Sequence, residues 1–485
     1  MTNRMRQRLR RMMGPALGLL VTVGLGGCPW SGLTDLSKET PVQVYKKNDG
    51  FTSPQFGMYM VVLERQDPSD PRLPTIVVGG QYTTPVAALE INQAGGVERA
   101  RIARVDTNEI APHEDRKGNT IQAIVELSPV EDDARVLISS PEHDYVRWVR
   151  IPPADASAPD LVTGGMFHVD NSPQGIRGFG GALAAGFFDE PGGDQEWAIA
   201  DDHNIFIAMN ETEGATDFDA CPWDGPSVSD YTSVTRALVA GRFTEDASTH
   251  TFAAGLPDDS PPYGSVRFII WDGAVNCNGG VLVPPPTPGM DRHEEYFGTA
   301  LAAVDLNDDG VDDLIVGSPN KKDVPQTDSR VYVYLTSGTP IALTDTPSYI
   351  FESNMLHFGS EVAAMDVTGD GVPELMVGDP QASFEGNKGR AHLYEVAWTY
   401  NASPTTVTEE EGFIIGDTAE PTKMFGSDLK AATYGFGSSF AGLTWEIGTS
   451  RRELMVGAAG LIFGFYITGL EGDDLRTDPA QDPRG

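Results

Sequence analysis

The fold turns on one stretch: Phe297-Gly298, then Asp305-Leu306-Asn307-Asp308-Asp309-Gly310-Val311-Asp312-Asp313, then Leu314-Ile315-Val316-Gly317-Ser318-Pro319. Asp305, Asn307, Asp309 and Asp313 place oxygen-bearing side chains at relative positions 1, 3, 5 and 9, where they can converge on one hard cation. Gly310 at position 6 permits a sharp turn, and the carbonyl of Val311 at position 7 can add a ligand. Five acids crowded into nine residues would repel one another without a cation. The chain does not continue as a helix. Leu314-Ile315-Val316 is a short apolar run ended by small residues and Pro, so it reads as a buried strand.

The same phrase returns at Asp366-Val367-Thr368-Gly369-Asp370-Gly371-Val372-Pro373-Glu374. Asp366, Asp370 and Glu374 keep positions 1, 5 and 9, the carbonyl of Val372 holds position 7, and Thr368 offers a weaker neutral oxygen at position 3. A second cation is expected here, bound less tightly. Asp189 to Glu196 is acidic but out of register, Phe243-Thr244-Glu245-Asp246 keeps little of the pattern, and Thr433 to Arg452 reads as a long insertion in its place. Two cation sites are therefore expected.

Further outward, the strand after the loop proves to be one of seven. Its copies close on small residues at 79, 139, 200, 255, 317, 378 and 457, at spacings of 60, 61, 55, 62, 61 and 79 residues. An aromatic-Gly pair precedes five of them: Phe56-Gly57, Phe179-Gly180, Phe297-Gly298, Phe358-Gly359 and Phe425-Gly426. Alternating runs such as Val331-Tyr332-Val333-Tyr334 come after it, and short stretches such as Tyr349-Ile350-Phe351 and Phe413-Ile414-Ile415 fall where a fourth strand would. A fixed period of this size marks a repeat architecture. Units of about four strands predict an all-β chain, a seven-bladed β-propeller of four-stranded antiparallel blades. The last unit lacks an outer strand, and Pro41-Val42-Gln43-Val44-Tyr45 is expected to supply it, so that an N-terminal strand closes the ring. The resulting organisation is 1–27 leader, 28–40 tether, 41–470 propeller and 471–485 acidic tail.

Phe297 to Pro319, and nearly as well Phe358 to Pro380, resemble the FG-GAP repeat of integrin α-chain heads. The resemblance, spread over roughly residues 50–470, implies a seven-bladed propeller with Ca²⁺ in hairpin loops between the first two strands of certain blades, and partners bound largely on the opposite face. No adhesion contact carries over residue by residue.

Arg4, Arg6, Arg8, Arg10 and Arg11, an apolar run from Ala16 to Leu25, and Gly26-Gly27 describe a secretory leader. Leu25-Gly26-Gly27-Cys28 resembles the bacterial lipobox, which implies a lipid on Cys28 and a membrane anchor; Pro29, in place of Asp, leans towards an outer-membrane or surface destination. Cys221 and Cys277 then remain, in a compartment that permits a disulfide between them. Lys+Arg 34 against Asp+Glu 70 gives a formal net charge of −36, which argues against nucleic acid as partner. Removing the leader leaves 29 basic against 70 acidic residues.

The sequence holds no G-x-S-x-G elbow, P-loop, H-E-x-x-H or Cys-x-x-Cys, and its eight His show no metal-ligand spacing. Asp201-Asp202-His203 reads as a hydrogen-bonded turn before a catalytic dyad. The expected function is a monomeric, lipid-anchored envelope propeller that binds a protein or glycan. The alternative is an extracytoplasmic polysaccharide hydrolase or lyase on the same scaffold.

Overall fold

The structure is a computed structural model and describes residues 57–63, 74–79, 86–91, 97–103, 123–130, 133–141, 145–151, 162–167, 178–189, 195–201, 204–208, 218–222, 237–243, 251–257, 264–282, 296–320, 328–336, 346–355, 357–384, 387–400, 404–408, 413–415, 423–426, 435–444, 453–458 and 461–465. The leader, Cys28, Pro41–Tyr45 and the acidic tail lie outside the described residues.

Among the described residues every named element is a strand, and they form seven sheets. Sheet one is β1 (Met60–Leu63), β2 (Thr75–Gly79), β3 (Val86–Ile91) and β4 (Val97–Ala103). Sheet two is β5 (Ala123–Val130), β6 (Asp133–Ser140), β7 (Tyr145–Ile151) and β8 (Val162–Phe167). Sheet three is β9 (Ala182–Gly186), β10 (Glu196–Ala200), β11 (Asn204–Ala208) and β12 (Phe218–Pro222). Sheet four is β13 (Ala237–Gly241), β14 (Thr251–Leu256), β15 (Ser265–Trp271) and β16 (Val275–Leu282). Sheet five begins β17 (Ala300–Val304), β18 (Asp313–Ser318), β19 (Ser329–Tyr334) and β20 (Tyr349–Ser353). Sheet six is β21 (Glu361–Met365), β22 (Glu374–Phe384), β23 (Asn387–Tyr394) and, past β24 (Thr405–Thr408), β25 (Phe413–Ile415). Sheet seven orders β27 (Ser439–Leu443), β28 (Glu453–Ala458) and β29 (Leu461–Phe465) before β26 (Lys423–Gly426) at its edge. Antiparallel four-stranded units in this succession are the construction of a β-propeller.

The two-residue period decides which sheet meets which. On β18, Ile315 joins the cluster that includes Val331, Val333, Leu375 and Val377, towards sheet six. Its neighbours Leu314 and Val316 join Ala253, Val266 and Phe268, towards sheet four. Both faces are buried, so a one-residue slip would exchange the two sets. Seven apolar clusters bridge the sheets pairwise, and one holds Met60, Ile76 and Val78 of sheet one against Leu443, Met455 and Ile462 of sheet seven. The phenylalanine of the aromatic-Gly pair lies edge-on to a ring of its own third strand: Phe179 on Phe206, Phe297 on Tyr332 and Phe358 on His392.

Close backbone approach explains the recurring small residue. A Cβ on Gly317 would lie 2.1 Å from the carbonyl oxygen of Gly359, and one on Gly378 would lie 2.1 Å from that of Gly437. The same contact joins Gly457 of sheet seven to Gly57 before sheet one, at 1.8 Å, and Ser439 Oγ donates to the Gly57 carbonyl at 2.8 Å.

Three details differ from expectation. The aromatic-Gly pair of sheet seven is Phe436-Gly437, whose glycine has φ +85° and donates to Gly457 O at 3.0 Å; Phe425-Gly426 belongs instead to an edge strand. The segment from Thr433 to Arg452 thus carries the inner strand β27 within what reads as an insertion. The edge of β29 expected to receive Pro41–Tyr45 pairs with β26, because Phe425 and Met424 fall in register with Ile462 and Phe463. Sheet five also has five strands: β24 leaves sheet six after β23 and pairs in parallel with β20. On the outer strands of sheets three and four, Cys221 and Cys277 are joined, with Cα atoms 5.4 Å apart. Closing a loop with a sequence separation of 56 residues removes about 4 kcal/mol of unfolded-state entropy on the chain-entropy model.

Candidate metal centre

The β21–β22 loop folds on its own carboxylates. Asp366 accepts the amides of Gly369 (2.6 Å) and Gly371 (2.9 Å), and Asp370 accepts that of Val372 (2.8 Å). Glu374, the first residue of β22, accepts the Val367 amide at 2.8 Å and the Thr368 hydroxyl at 2.9 Å. These bonds leave Asp366, Asp370 and Glu374 with one oxygen each within 4.8 Å of the others, the one such group of acids among the described residues. Oxygens on opposite sides of a Ca²⁺ ion stand about 5 Å apart, so the donor set fits a hard cation. Residues able to hold it are Asp366, Asp370 and Glu374, with the Thr368 hydroxyl, bonded to Glu374, beside them.

The β17–β18 loop keeps the same register but spends its oxygens differently. Asp305 accepts the amides of Asp309 (3.1 Å) and Gly310 (2.8 Å), and Asn307 Oδ1 also accepts that of Asp309 at 3.1 Å. Asp309 accepts the Val311 amide at 2.9 Å. Asp313 accepts the Leu306 amide at 2.9 Å and the Thr336 amide at 2.6 Å. Thr336, beyond the end of β19, also directs its hydroxyl to Asp313 at 3.1 Å and to Asp309 at 3.2 Å, and its carbonyl accepts Asn307 Nδ2 at 3.0 Å. The fuller inventory of oxygens is in this loop; the gathered carboxylates are in the other.

Burial strains both sites electrostatically. Desolvation pushes Asp313 up to about 7 against the opposing backbone bonds from Thr336 and Leu306, and pushes Glu374 up to about 7 against the bond from Val367. A bound cation would return both to the ionised form and supply the charge that the buried acids lack.

Position nine carries a signal that sequence reading missed. The residue that opens the second strand is a buried oxygen carrier in six sheets: Thr75, Glu196, Thr251, Asp313, Glu374 and Glu453. In sheet three, Glu196 accepts the Phe188 amide at 2.6 Å, the counterpart of the Leu306 and Val367 bonds, and burial pushes it up to about 7. The apparent misregister of Asp189 to Glu196 reflects one extra loop residue: Gly186 pairs with Glu196 as Val304 does with Asp313.

Residues outside the two loops brace them, one from the neighbouring sheet four and one from sheet six itself. Arg242, after β13, meets Asp312 at 3.1 Å; the Arg242 amide also donates to the Asp312 carboxylate at 2.7 Å, and the Asp312 amide to the Arg242 carbonyl at 2.9 Å. Trp398, after β23, donates its indole N–H to the Pro373 carbonyl at 2.8 Å. Neither was visible as a site residue, since both lie outside the loops they support. Asp201 accepts both the amide and the side chain of Asn204, which makes it part of a turn.

Family comparison matches the FG-GAP repeat at residues 297–334 and 358–394, the two sheets that hold these loops. Among curated proteins the chain is similar to integrin alpha-5 of Xenopus laevis, 28% identical over 233 residues, covering 46% of this chain and 20% of that one. It is similar to integrin alpha-PS2 of Drosophila melanogaster (27%, covering 48% and 16%) and to integrin alpha-8 of Gallus gallus (30%, covering 33% and 15%). The matches span a fifth or less of those relatives' own length.

Proposed function

We propose that this chain, which bears FG-GAP repeats and is integrin-α-like in sequence, is an exported seven-bladed propeller that serves as a binding or adhesion-type module and holds structural Ca²⁺ in the loops of sheets five and six. The reading rests on the meeting of Asp366, Asp370 and Glu374 within 4.8 Å inside the second FG-GAP repeat. Bound Ca²⁺ would neutralise these acids and draw the hairpin closed. The side chains of Asp305, Asn307, Asp309 and Asp313 with the Val311 carbonyl would form the second site. Closure of the ring is supported by the cluster shared between sheets one and seven and by the Gly457–Gly57 contact. Cys28 would carry the lipid that ties the protein to the envelope, at the outer membrane or cell surface, and the partner would be an envelope protein or glycan.

Calorimetric titration of the full chain with CaCl₂ after chelation tests the cation reading. Two binding events and a higher melting temperature are expected, with one event lost in Glu374→Gln and the other in Asp309→Asn. Heat-free titration and an unchanged melting curve would refute it. A glycan array and envelope pull-down, each with and without Ca²⁺, tests the binding role, and Cys28→Ala should release the protein from membrane fractions.

A further inference from the structure

We propose that Trp398 is a positioning residue for the cation site of sheet six, and that through it the cation governs how firmly β24 is held on sheet five. This rests on the Ca²⁺ reading of that site. Trp398 lies in the run after β23, where Ala397 and Thr399 are exposed, yet it is itself only 7% exposed. Its indole N–H reaches the Pro373 carbonyl, which shares a peptide plane with the nitrogen of Glu374. Fixing that plane fixes where the Glu374 side chain begins, so the bond sets the direction of one of the three gathered carboxylates.

The other side of Trp398 belongs to sheet five. Its ring stands edge-on to Tyr349 at 5.3 Å and lies 6.3 Å from Phe351, both on β20. The Tyr349 hydroxyl donates to the Ala397 carbonyl at 3.2 Å and accepts the Thr399 amide at 3.0 Å. A few residues on, the Thr405 amide donates to the Ser348 carbonyl at 2.9 Å, and β24 continues in parallel register, Tyr349 with Thr405 through Glu352 with Thr408. One strand, β20, therefore holds both Trp398 and β24. β24 has four residues, sits last in its sheet, and exposes Thr405 and Thr406, so it belongs to the least stable part of the sheet and depends on neighbouring contacts. In the loop of sheet five, Asp312, the counterpart of Pro373, is bound instead to Arg242 next to an inner strand.

Linkage makes the effect reciprocal: if a seated Trp398 favours the cation, the cation favours a seated Trp398 and a docked β24. The test uses the full chain carrying Asp305→Asn and Asp309→Asn, so that CaCl₂ reports on sheet six alone. Hydrogen exchange over Thr405–Thr408 should slow several-fold when Ca²⁺ is added. Trp398→Phe, which keeps a ring but removes the donor, should weaken Ca²⁺ binding about fivefold, the worth of one hydrogen bond, and abolish the Ca²⁺-dependent protection even at saturating Ca²⁺. Should that variant not fold, Tyr349→Phe, which removes only the hydroxyl clamp, should at least halve the protection. A merely structural Trp398 would lower melting temperature without altering the response of β24 to Ca²⁺. If Ca²⁺ binds but exchange at Thr405–Thr408 is unchanged, or these variants respond as the background does, the inference fails and the cation site stands. If Ca²⁺ does not bind this background at all, while the intact chain loses no binding event in Glu374→Gln, both fail.

Discussion

The β17–β18 and β21–β22 loops occupy one register, Val304 opposite Asp313 and Met365 opposite Glu374, and each fastens its position-nine carboxylate to the second residue of the loop. They differ in where a threonine comes from. Sheet six supplies Thr368 from inside the loop, while sheet five places Asn307 there and brings Thr336 from beyond its third strand. In both, a hydroxyl meets the buried acid. The frame thus fixes the need, an oxygen at position nine and a donor facing it, and leaves the chain free to meet that need locally or from a distance. A loop completed from within can draw its acids together; one completed from outside has two of its acids, Asp309 and Asp313, held to Thr336.

The comparison can be broken first at the frame. Phe297 and Phe358 are both fully buried at the same place in their repeats, so Phe297→Ala and Phe358→Ala should each cost about 3–5 kcal/mol in urea unfolding. Values differing by more than half would show that the two sheets do not share one frame. The cations come next. At a free Ca²⁺ concentration of about 100 times the dissociation constant, each site should add about 2.7 kcal/mol, and Asp313→Asn or Glu374→Gln should each remove one such increment in thermal melts while changing the chelated protein far less. A third test separates the sheets by pH. His392 in sheet six stands where sheet five has Tyr332, and burial, with Arg390 adding to it, lowers its pKa to about 3. A depressed value favours the neutral ring, so this stability is complete above pH 6.5 and is lost as pH falls. Between pH 7 and pH 5 the loss should be about 2 kcal/mol, read as the difference between the wild type and His392→Tyr, because the raised carboxyls of Asp313 and Glu374, present in both, shift stability the other way. The smallest effect belongs to Arg242→Ala: its guanidinium is 39% exposed, and loss of the pair with Asp312 should cost under about 1 kcal/mol, fading with salt.

Much of this was legible because it is periodic. The copies of Leu-Ile-Val-Gly sit on the second strands, as at Leu314–Gly317 and Leu375–Gly378, where apolar side chains on both faces and a glycine at the seam are required together. What escaped is what has no period. β24 reads Thr-Thr-Val-Thr, which carries no alternation to mark it as a strand and nothing to say that it serves the preceding sheet. Phe425-Gly426 imitates the aromatic-Gly pair, and only the positive φ of Gly437 and its bond to Gly457 identify the true one. Thr336 and Trp398 reach their loops through space, over sequence separations of 23 and 25 residues to Asp313 and Pro373. Glu196 was hidden by a single extra residue upstream of it.

The glycine-to-carbonyl handover at Gly457 and Gly57 is chemically the same as the one at Gly317 and Gly359. A sheet therefore has no means of knowing whether its neighbour is the next along the chain or the first. The polypeptide could be cut between Leu282 and Tyr296 and its original ends spliced by a linker, and such a circular permutant should assemble the same object from a different starting point.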